Sequence, residues 1–456
     1  MADDENTLYC YAGLLETYER RKGYRRRAGK SIAIREEVFD MMLTIGVILV
    51  IITIYFLIKR YDARLVLLIS GILMACVAGT PMAALNAFAK DMTNAGLIQA
   101  VCSVMGFAMV MRFTECDKHL INLMASGLGK VRPLLIPGVV FATFAVNVAL
   151  PSAAGTAAAA GAIFVPLMMS AGVHPAMAAA AVKCGTYGSM LNPGLAHNPI
   201  VAKIAGVGVM EVIAFQFKAN IASLVVAAIF ITAIAYYKKE HKGYHADGLE
   251  ADAFFKVNLL YALMPMFPIL LLLLGATLVP ALKTDVPQAM IIGCILAFLV
   301  TRKNPVGLSN AFFDGMGKAY GEIIGIIIAA GVFVSGLTSM GLVKAFIEAM
   351  LNNPAIVKLC AAMGPFLLGF VTGSGDAATM AFNQAVTPHA ADFGMEIMQM
   401  GSMATLGGTL GRTMSPIAGA TIIVAGIAGV NPMEVTKRNW LPMVGSMMIG
   451  MTLLMY

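Results

Sequence analysis

Charge is scarce in this sequence. Asp, Glu, Lys and Arg make up 12% of the 456 residues, while 59% are hydrophobic; a soluble domain carries roughly 25% charged residues. That shortage excludes an ordinary soluble globule. The seven cysteines are scattered, six of them in apolar runs and none in a Cys-x-x-Cys pair. A disulfide framework is therefore excluded, and the thiols read as small core hydrophobes. The six histidines include no His-Glu-x-x-His, which excludes that metalloprotease signature. No nucleophile–base pair or metal-ligand cluster stands out inside the apolar stretches, so a membrane-embedded enzyme is not indicated. The formal charge of +7 calls for no nucleic-acid partner, because membrane proteins keep Lys and Arg in their cytoplasmic loops. The 34 methionines suit adaptable packing between helices rather than a cofactor site.

What is abundant is apolar length. Stretches of about 18 or more apolar residues recur along the chain, the mark of membrane-spanning helices. Within them one block occurs twice. It runs from Pro193 through Ile200-Val201-Ala202 and Ile204-Ala205-Gly206-Val207 to Met210-Glu211-Val212. From Pro416 it returns as Ile423-Val424-Ala425, Ile427-Ala428-Gly429-Val430 and Met433-Glu434-Val435, always 223 residues later. Asn86-Ala87-Phe88 and Asn310-Ala311-Phe312, 224 residues apart, echo the same duplication in what read as short interfacial helices.

The reading in order begins with residues 1–40, a non-membrane extension carrying Arg20-Arg21-Lys22 and Arg25-Arg26-Arg27. One expectation is that translation starts at Met41 or Met42, Arg35-Glu36-Glu37 being encoded by a ribosome-binding site. The other is a native disordered basic tail. Repeat 1 covers 41–237, with a hairpin at about 133–172 and a broken helix at about 175–210. A cytoplasmic linker, 238–255, leads to repeat 2 at 256–456, with a hairpin at about 354–393 and a broken helix at about 396–430. Counting Lys and Arg places Met41 outside and the linker inside. It does so if both hairpins are re-entrant. Each half then has five spans, and an odd number inverts the second half relative to the first. The fold class expected is an all-α polytopic membrane protein of two inverted-topology repeats in a bacterial inner membrane.

Irregular backbone at membrane depth survives only where it is buried in protein or lines a wet cavity. Four places qualify. The tips are Pro151-Ser152-Ala153-Ala154-Gly155-Thr156 and Thr372-Gly373-Ser374-Gly375-Asp376, and the breaks are Asn192-Pro193 and Ser415-Pro416. Small residues let the backbone approach a ligand, and the helix after each tip aims free N–H groups and a positive dipole end at it. Two such ends suit a small molecule anionic at both termini; small-residue helix packing is the alternative. Arg412, just before the second break, needs a partner, either a substrate carboxylate or a protein group. Lys183 is either functional or snorkels to the inner surface. Asp376 either binds a coupling cation or proton, or caps the following helix. His197, Asn198, Thr186 and Ser189 surround the first break.

The second-half motifs Thr372-Gly373-Ser374-Gly375, Gly411-Arg412-Thr413, Ser415-Pro416 and Val424-Ala425-Gly426 through Met433-Glu434-Val435 resemble the anaerobic four-carbon dicarboxylate carriers of the DcuC type, in the ion transporter superfamily. The resemblance is looser through Ala153–Val212 and absent before Met41. It implies a scaffold domain that dimerises and a transport domain of hairpins and broken helices. It also implies elevator-type alternating access and uptake, exchange or efflux of succinate, fumarate, malate or aspartate. By position, Ser152, Gly155, Thr156, Asn192, Thr413, Ser415, Ser374 and Gly375 would line the substrate or ion sites. With Ala153, Pro193, His197, Asn198, Gly373 and Arg412 they form the candidate binding set. Na+ or H+ coupling is expected at Ser152, Ser374 or Asp376, with no other cofactor. Neither tip carries the Ser-Asn-Thr of sodium-coupled superfamily members, and Asp376 stands where a neutral amide is expected. The alternative function is a sodium/proton antiporter or a carrier of another small organic anion.

Overall fold

The computed structural model describes residues 40–59, 61–128, 132–244, 255–277, 279, 284–351 and 354–455. The two expectations for the basic stretch before Met41, and most of the linker, lie outside the described residues. Among the described residues all regular structure is helical, and six helices are long and apolar enough to cross a membrane.

The same series of helices occurs twice. The first comprises α1 (Asp40–Ile58), α2 (Ala63–Val77), α3 (Pro81–Met92), α4 (Ala95–Phe113) and α5 (Cys116–Leu128), then α6 (Leu135–Ala149), α7 (Ala153–Ser170), α8 (Pro175–Cys184), α9 (His197–Ala205) and α10 (Val209–Tyr237). The second comprises α11 (Leu259–Leu263) leading into α12 (Phe267–Thr277), α13 (Val286–Thr301), α14 (Pro305–Ala319), α15 (Gly325–Ser339) and α16 (Leu342–Leu351). It closes with α17 (Pro354–Thr372), α18 (Gly375–Ala385), α19 (Ile397–Met414), α20 (Gly419–Ala428) and α21 (Pro432–Met455). The starts of α2 and α13, and of α10 and α21, keep the 223-residue spacing of the sequence repeat.

Local chemistry sets the interruptions. Leu150, Pro151 and Ser152 part α6 from α7: Leu150 is extended, Pro151 has no N–H to donate, and the Ser152 hydroxyl caps α7 by accepting from the Gly155 N–H at 3.1 Å. Gly373, at φ 73°, turns α17 into α18, a conformation open to glycine without penalty. One expectation is corrected. The segment holding Asn310 is not a separate interfacial helix, because α14 runs through a π-helical turn, Tyr320–Ile324, into α15 as one 35-residue helix. No proline or positive-φ residue lies between them to stop it. The short helices α5 and α16 had no counterpart in the sequence reading.

Small side chains put the two pre-break helices at the centre. All ten residues of α8 are buried, as are Met400–Gly411 of α19. A helix buried all round must be apolar or small on every face, and Ala in α8 and Gly in α19 meet that need while letting backbones approach. At the periphery α1 exposes Val47, Ile48, Ile51 and Tyr55, an apolar surface fit for lipid.

The contact between α10 and α21 is reciprocal. Ser223 Oγ donates to the Ser446 carbonyl at 2.8 Å, and Ser446 Oγ donates to the Ser223 carbonyl at 2.8 Å. These serines are 223 residues apart, so positions equivalent by the sequence repeat bond each other in both directions. Seventeen residues beyond Ser223, Glu240 pairs with Arg438, which lies before Ser446 in α21; Arg438 Nε reaches Oε2 of Glu240 at 2.7 Å. The two helices therefore run antiparallel.

Candidate functional site

Both hairpin tips and both helix breaks meet at one cavity of about 290 Å³. Ser152, Ala153 and Ala154 come from the first tip; Gly194, Leu195 and Ala196 come from the first break. Asp376 follows the second tip, and Arg412, Ala418, Gly419 and Ala420 flank the second break. The opposite wall holds Met105 of α4 with Glu322, Ile323 and Ile326 around the π-helical turn. Such turns favour functional positions because they re-aim side chains within a helix. Four helices begin at this cavity: α7 at Ala153, α9 at His197, α18 at Gly375 and α20 at Gly419. Each start presents N–H groups without intrahelical partners and the positive end of a dipole.

The charged groups are few and close together. Arg412 Nη1 lies 4.0 Å from Oδ1 of Asp376, and its Nη2 donates to the Thr186 carbonyl at 3.4 Å. His197, fully buried, holds Nε2 3.2 Å from the same Asp376 oxygen, in an alignment that falls short of a hydrogen bond. The Asp376 side chain is 43% exposed yet lies deep in the protein, because what it is exposed to is the cavity. Lys183 does not snorkel. It is completely buried within electrostatic reach of Arg412, and its Nζ has no hydrogen-bond partner among the described residues. Beyond Glu322 a second cavity of about 220 Å³ shares Pro151 and Ser152 with the first and is lined by Arg112 and Lys318. The Arg112 guanidinium rests on Gly155, in the space a β-carbon there would take.

Of the candidate set, Ser152, Ala153 and Arg412 face the main cavity, as does Asp376. The others stand behind it. Thr156 accepts from Asn147 Nδ2 at 3.1 Å and donates to the Leu150 carbonyl at 3.2 Å, closing the tip. Gly155 lies under Arg112. Asn192 donates to the Val148 carbonyl at 2.7 Å and accepts from the Gly194 N–H, while Pro193 is buried in the break. Asn198 donates to the Met190 and Asn192 carbonyls, both at 2.9 Å. Thr413 Oγ1 bonds within α19, and Ser415 Oγ accepts from the Ile417 N–H at 3.3 Å. Gly373 makes the second turn, the Ser374 N–H donates to Thr372 Oγ1, and Gly375 is pressed against the Gly408 carbonyl. Thr186 accepts Arg412 through its carbonyl, and Ser189 is buried with its N–H donating to Asn147 Oδ1 at 2.8 Å. Among the described residues no three His, Cys, Asp or Glu side chains gather as a metal site would need.

Sequence reasoning missed Asn147, Gln216, Asn439, Arg112 and Glu322. For two of these a signal existed. Gln216 Nε2 donates to the Met190 carbonyl at 2.7 Å, and Asn439 Nδ2 donates to the Thr413 carbonyl at 3.0 Å. Donors and acceptors are each 223 residues apart. Asn198 toward Asn192 is likewise repeated by Thr421 toward Ser415, at 2.7 Å. Both breaks thus free carbonyls that the same two positions satisfy. Asn439→Leu leaves the buried Thr413 carbonyl unpaired, Gln216→Leu leaves the buried Asn198 Oδ1 without its donor, and each is expected to cost about 1–3 kcal/mol. Thermal unfolding of the purified variants measures it.

The family description "DcuC: C4-dicarboxylate anaerobic carrier" matches residues 41–456. A protein of Haemophilus influenzae named as a putative uncharacterized transporter is 42% identical over 263 residues, 55% of this chain and 94% of that one. The anaerobic C4-dicarboxylate transporter DcuC of Escherichia coli is 27% identical over 448 residues, covering 89% of this chain and 95% of its own. A probable anaerobic C4-dicarboxylate transporter DcuC of Vibrio cholerae is 23% identical over 453 residues, with coverages of 89% and 95%. These are named as transporters, not enzymes, and the similarity to the two DcuC proteins extends over 89% of the chain. The chain belongs to the DcuC family of C4-dicarboxylate carriers.

Proposed function

We propose that the protein is a secondary carrier of four-carbon dicarboxylates such as succinate, fumarate, malate or aspartate, and that the cavity at the four helix starts is the substrate site. The observation carrying this reading is the convergence of four positive helix ends and Arg412 on one cavity. A guanidinium can hold one carboxylate bidentately, while unpartnered N–H groups at a helix start can hold the other. A cavity of about 290 Å³ suits a four-carbon diacid and is small for a larger ligand.

The reciprocal, antiparallel pairing of α10 and α21 is what an inverted repeat in the bacterial inner membrane needs, since a two-fold axis between antiparallel spans lies in the membrane plane. With the linker inside, Glu240 and Arg438 mark the inner face. Arg64, whose Nη1 donates to the Gly321 carbonyl at 2.8 Å, would then bring the Glu322 side of the cavity toward the inner face. An elevator movement of α6–α9 and α17–α20 past α4 and α15, in a homodimer, would carry the site to the other face. Isothermal titration of purified protein with succinate and fumarate tests the substrate class. Saturable binding that monocarboxylates such as butyrate do not reproduce is expected. No binding of any four-carbon diacid would remove the reading.

A further inference from the structure

The site already contains a carboxylate. Asp376 stands between Arg412 on the cavity wall, 4.0 Å away, and the buried His197 behind the wall, 3.2 Å away. Its neighbours decide what an arriving diacid meets. From α9 comes His197, from α19 Arg412, and from α8 Lys183 behind Arg412; across the cavity the π-helical turn contributes Glu322. No other side chain lining this cavity is ionisable. Arg412 is therefore the one guanidinium on the wall, and it already faces a protein carboxylate.

We propose that Asp376 is the proton-binding group of the carrier: substrate displaces it from Arg412, and the freed carboxylate takes up one proton from water as the diacid binds. The inference rests on the proposed dicarboxylate site. In the empty site Asp376 neutralises Arg412, so the cavity is stable without ligand. When a substrate carboxylate occupies the guanidinium, two carboxylates share one cation in a space poor in water. Like charges that close do not both remain ionised, and one acquires a proton. The proton comes from bulk solvent and goes to a carboxylate oxygen of Asp376; no other bond changes. Protonated, Asp376 can donate a hydrogen bond toward the substrate instead of repelling it. Release of the diacid returns Asp376 to Arg412 and the proton to the aqueous phase on that side, which couples substrate to proton movement.

The test is the binding enthalpy of succinate to purified full-length protein at pH 7, in phosphate and in Tris, whose ionisation enthalpies differ widely. The difference counts protons. Wild type is expected to take up about one proton per succinate bound. Asp376→Asn is expected to bind succinate with close to none, while His197→Gln keeps the uptake. Succinate binding by wild type without proton uptake overturns the proposal and leaves the dicarboxylate reading intact. So does undiminished uptake in Asp376→Asn, or its loss in His197→Gln alone. Absence of succinate binding by wild type removes both. Because the wild-type count stands by itself, misfolding of a variant does not rescue the idea.

Discussion

Arg412→Ala is expected to abolish succinate uptake in proteoliposomes and to weaken succinate binding by about 100-fold or more, equivalent to about 2.8 kcal/mol. Arg412 is the cavity's one guanidinium, at a position where nothing else can pair two N–H groups with a carboxylate. The protein should still fold, although Asp376 loses its neutralising cation. The side chain is 13% exposed, makes one long hydrogen bond at 3.4 Å and leaves Nε unpaired. Arg412→Lys is not expected to restore binding, since an ammonium is a single point charge on a shorter reach. Wild-type succinate affinity in the Ala variant, with an unchanged melting temperature, would mean that Arg412 serves only Asp376 and Thr186.

The second large effect lies one residue earlier. Gly411→Val should prevent folding or lower stability by about 3 kcal/mol or more, the upper range for overpacking. A β-carbon at Gly411 would collide with the Phe366 carbonyl oxygen, and one at Gly407 with the Ala362 carbonyl. These obstacles are backbone atoms of α17, so no side-chain rotation relieves them; the helices themselves must separate. Separation would shift the second hairpin tip, which α17 carries, away from the break that α19 carries. Gly364 of the same helix α17 is the control. A β-carbon there meets nothing within 4 Å, and Gly364→Ala should be neutral or slightly stabilising through helix propensity. Detergent-solubilised melting curves and elution profiles compare the pair; equal behaviour would show that the α17–α19 crossing tolerates widening.

Small-residue packing and a ligand site turn out not to compete. Gly407 and Gly411 provide close helix contact on one side of α19, while Arg412, the next residue, faces the cavity. Adjacent helical positions point about 100° apart, so one short motif can do both.

Much of the fold was legible because its determinants are local. Apolar runs marked the spans, the polar-proline pairs at 192–193 and 415–416 marked the breaks, and Gly373 marked a turn. The 223-residue repeat needed nothing beyond comparison of the chain with itself. The continuity of α14 with α15 was not legible: the segment at Asn310 read as a short interfacial helix, yet it runs on into α15. Among polar candidates, identity did not reveal direction. Asn192, Asn198 and Thr156 are residues that can bind a ligand, but each spends its hydrogen bonds on carbonyls freed by the local irregularity.

By itself the sequence determined that this is a duplicated helical membrane protein resembling the DcuC carriers, where its helices break, and that Arg412 is a charge needing a partner at membrane depth. Only the tertiary structure decided who that partner is. Arg412 meets a carbonyl 226 residues away, and Arg112 of α4 leans on the first tip. Helix periodicity and proline or glycine chemistry act over a few residues and leave their mark in composition. Which break faces which tip depends on how whole helices pack, and that is set by the summed fit of many small side chains.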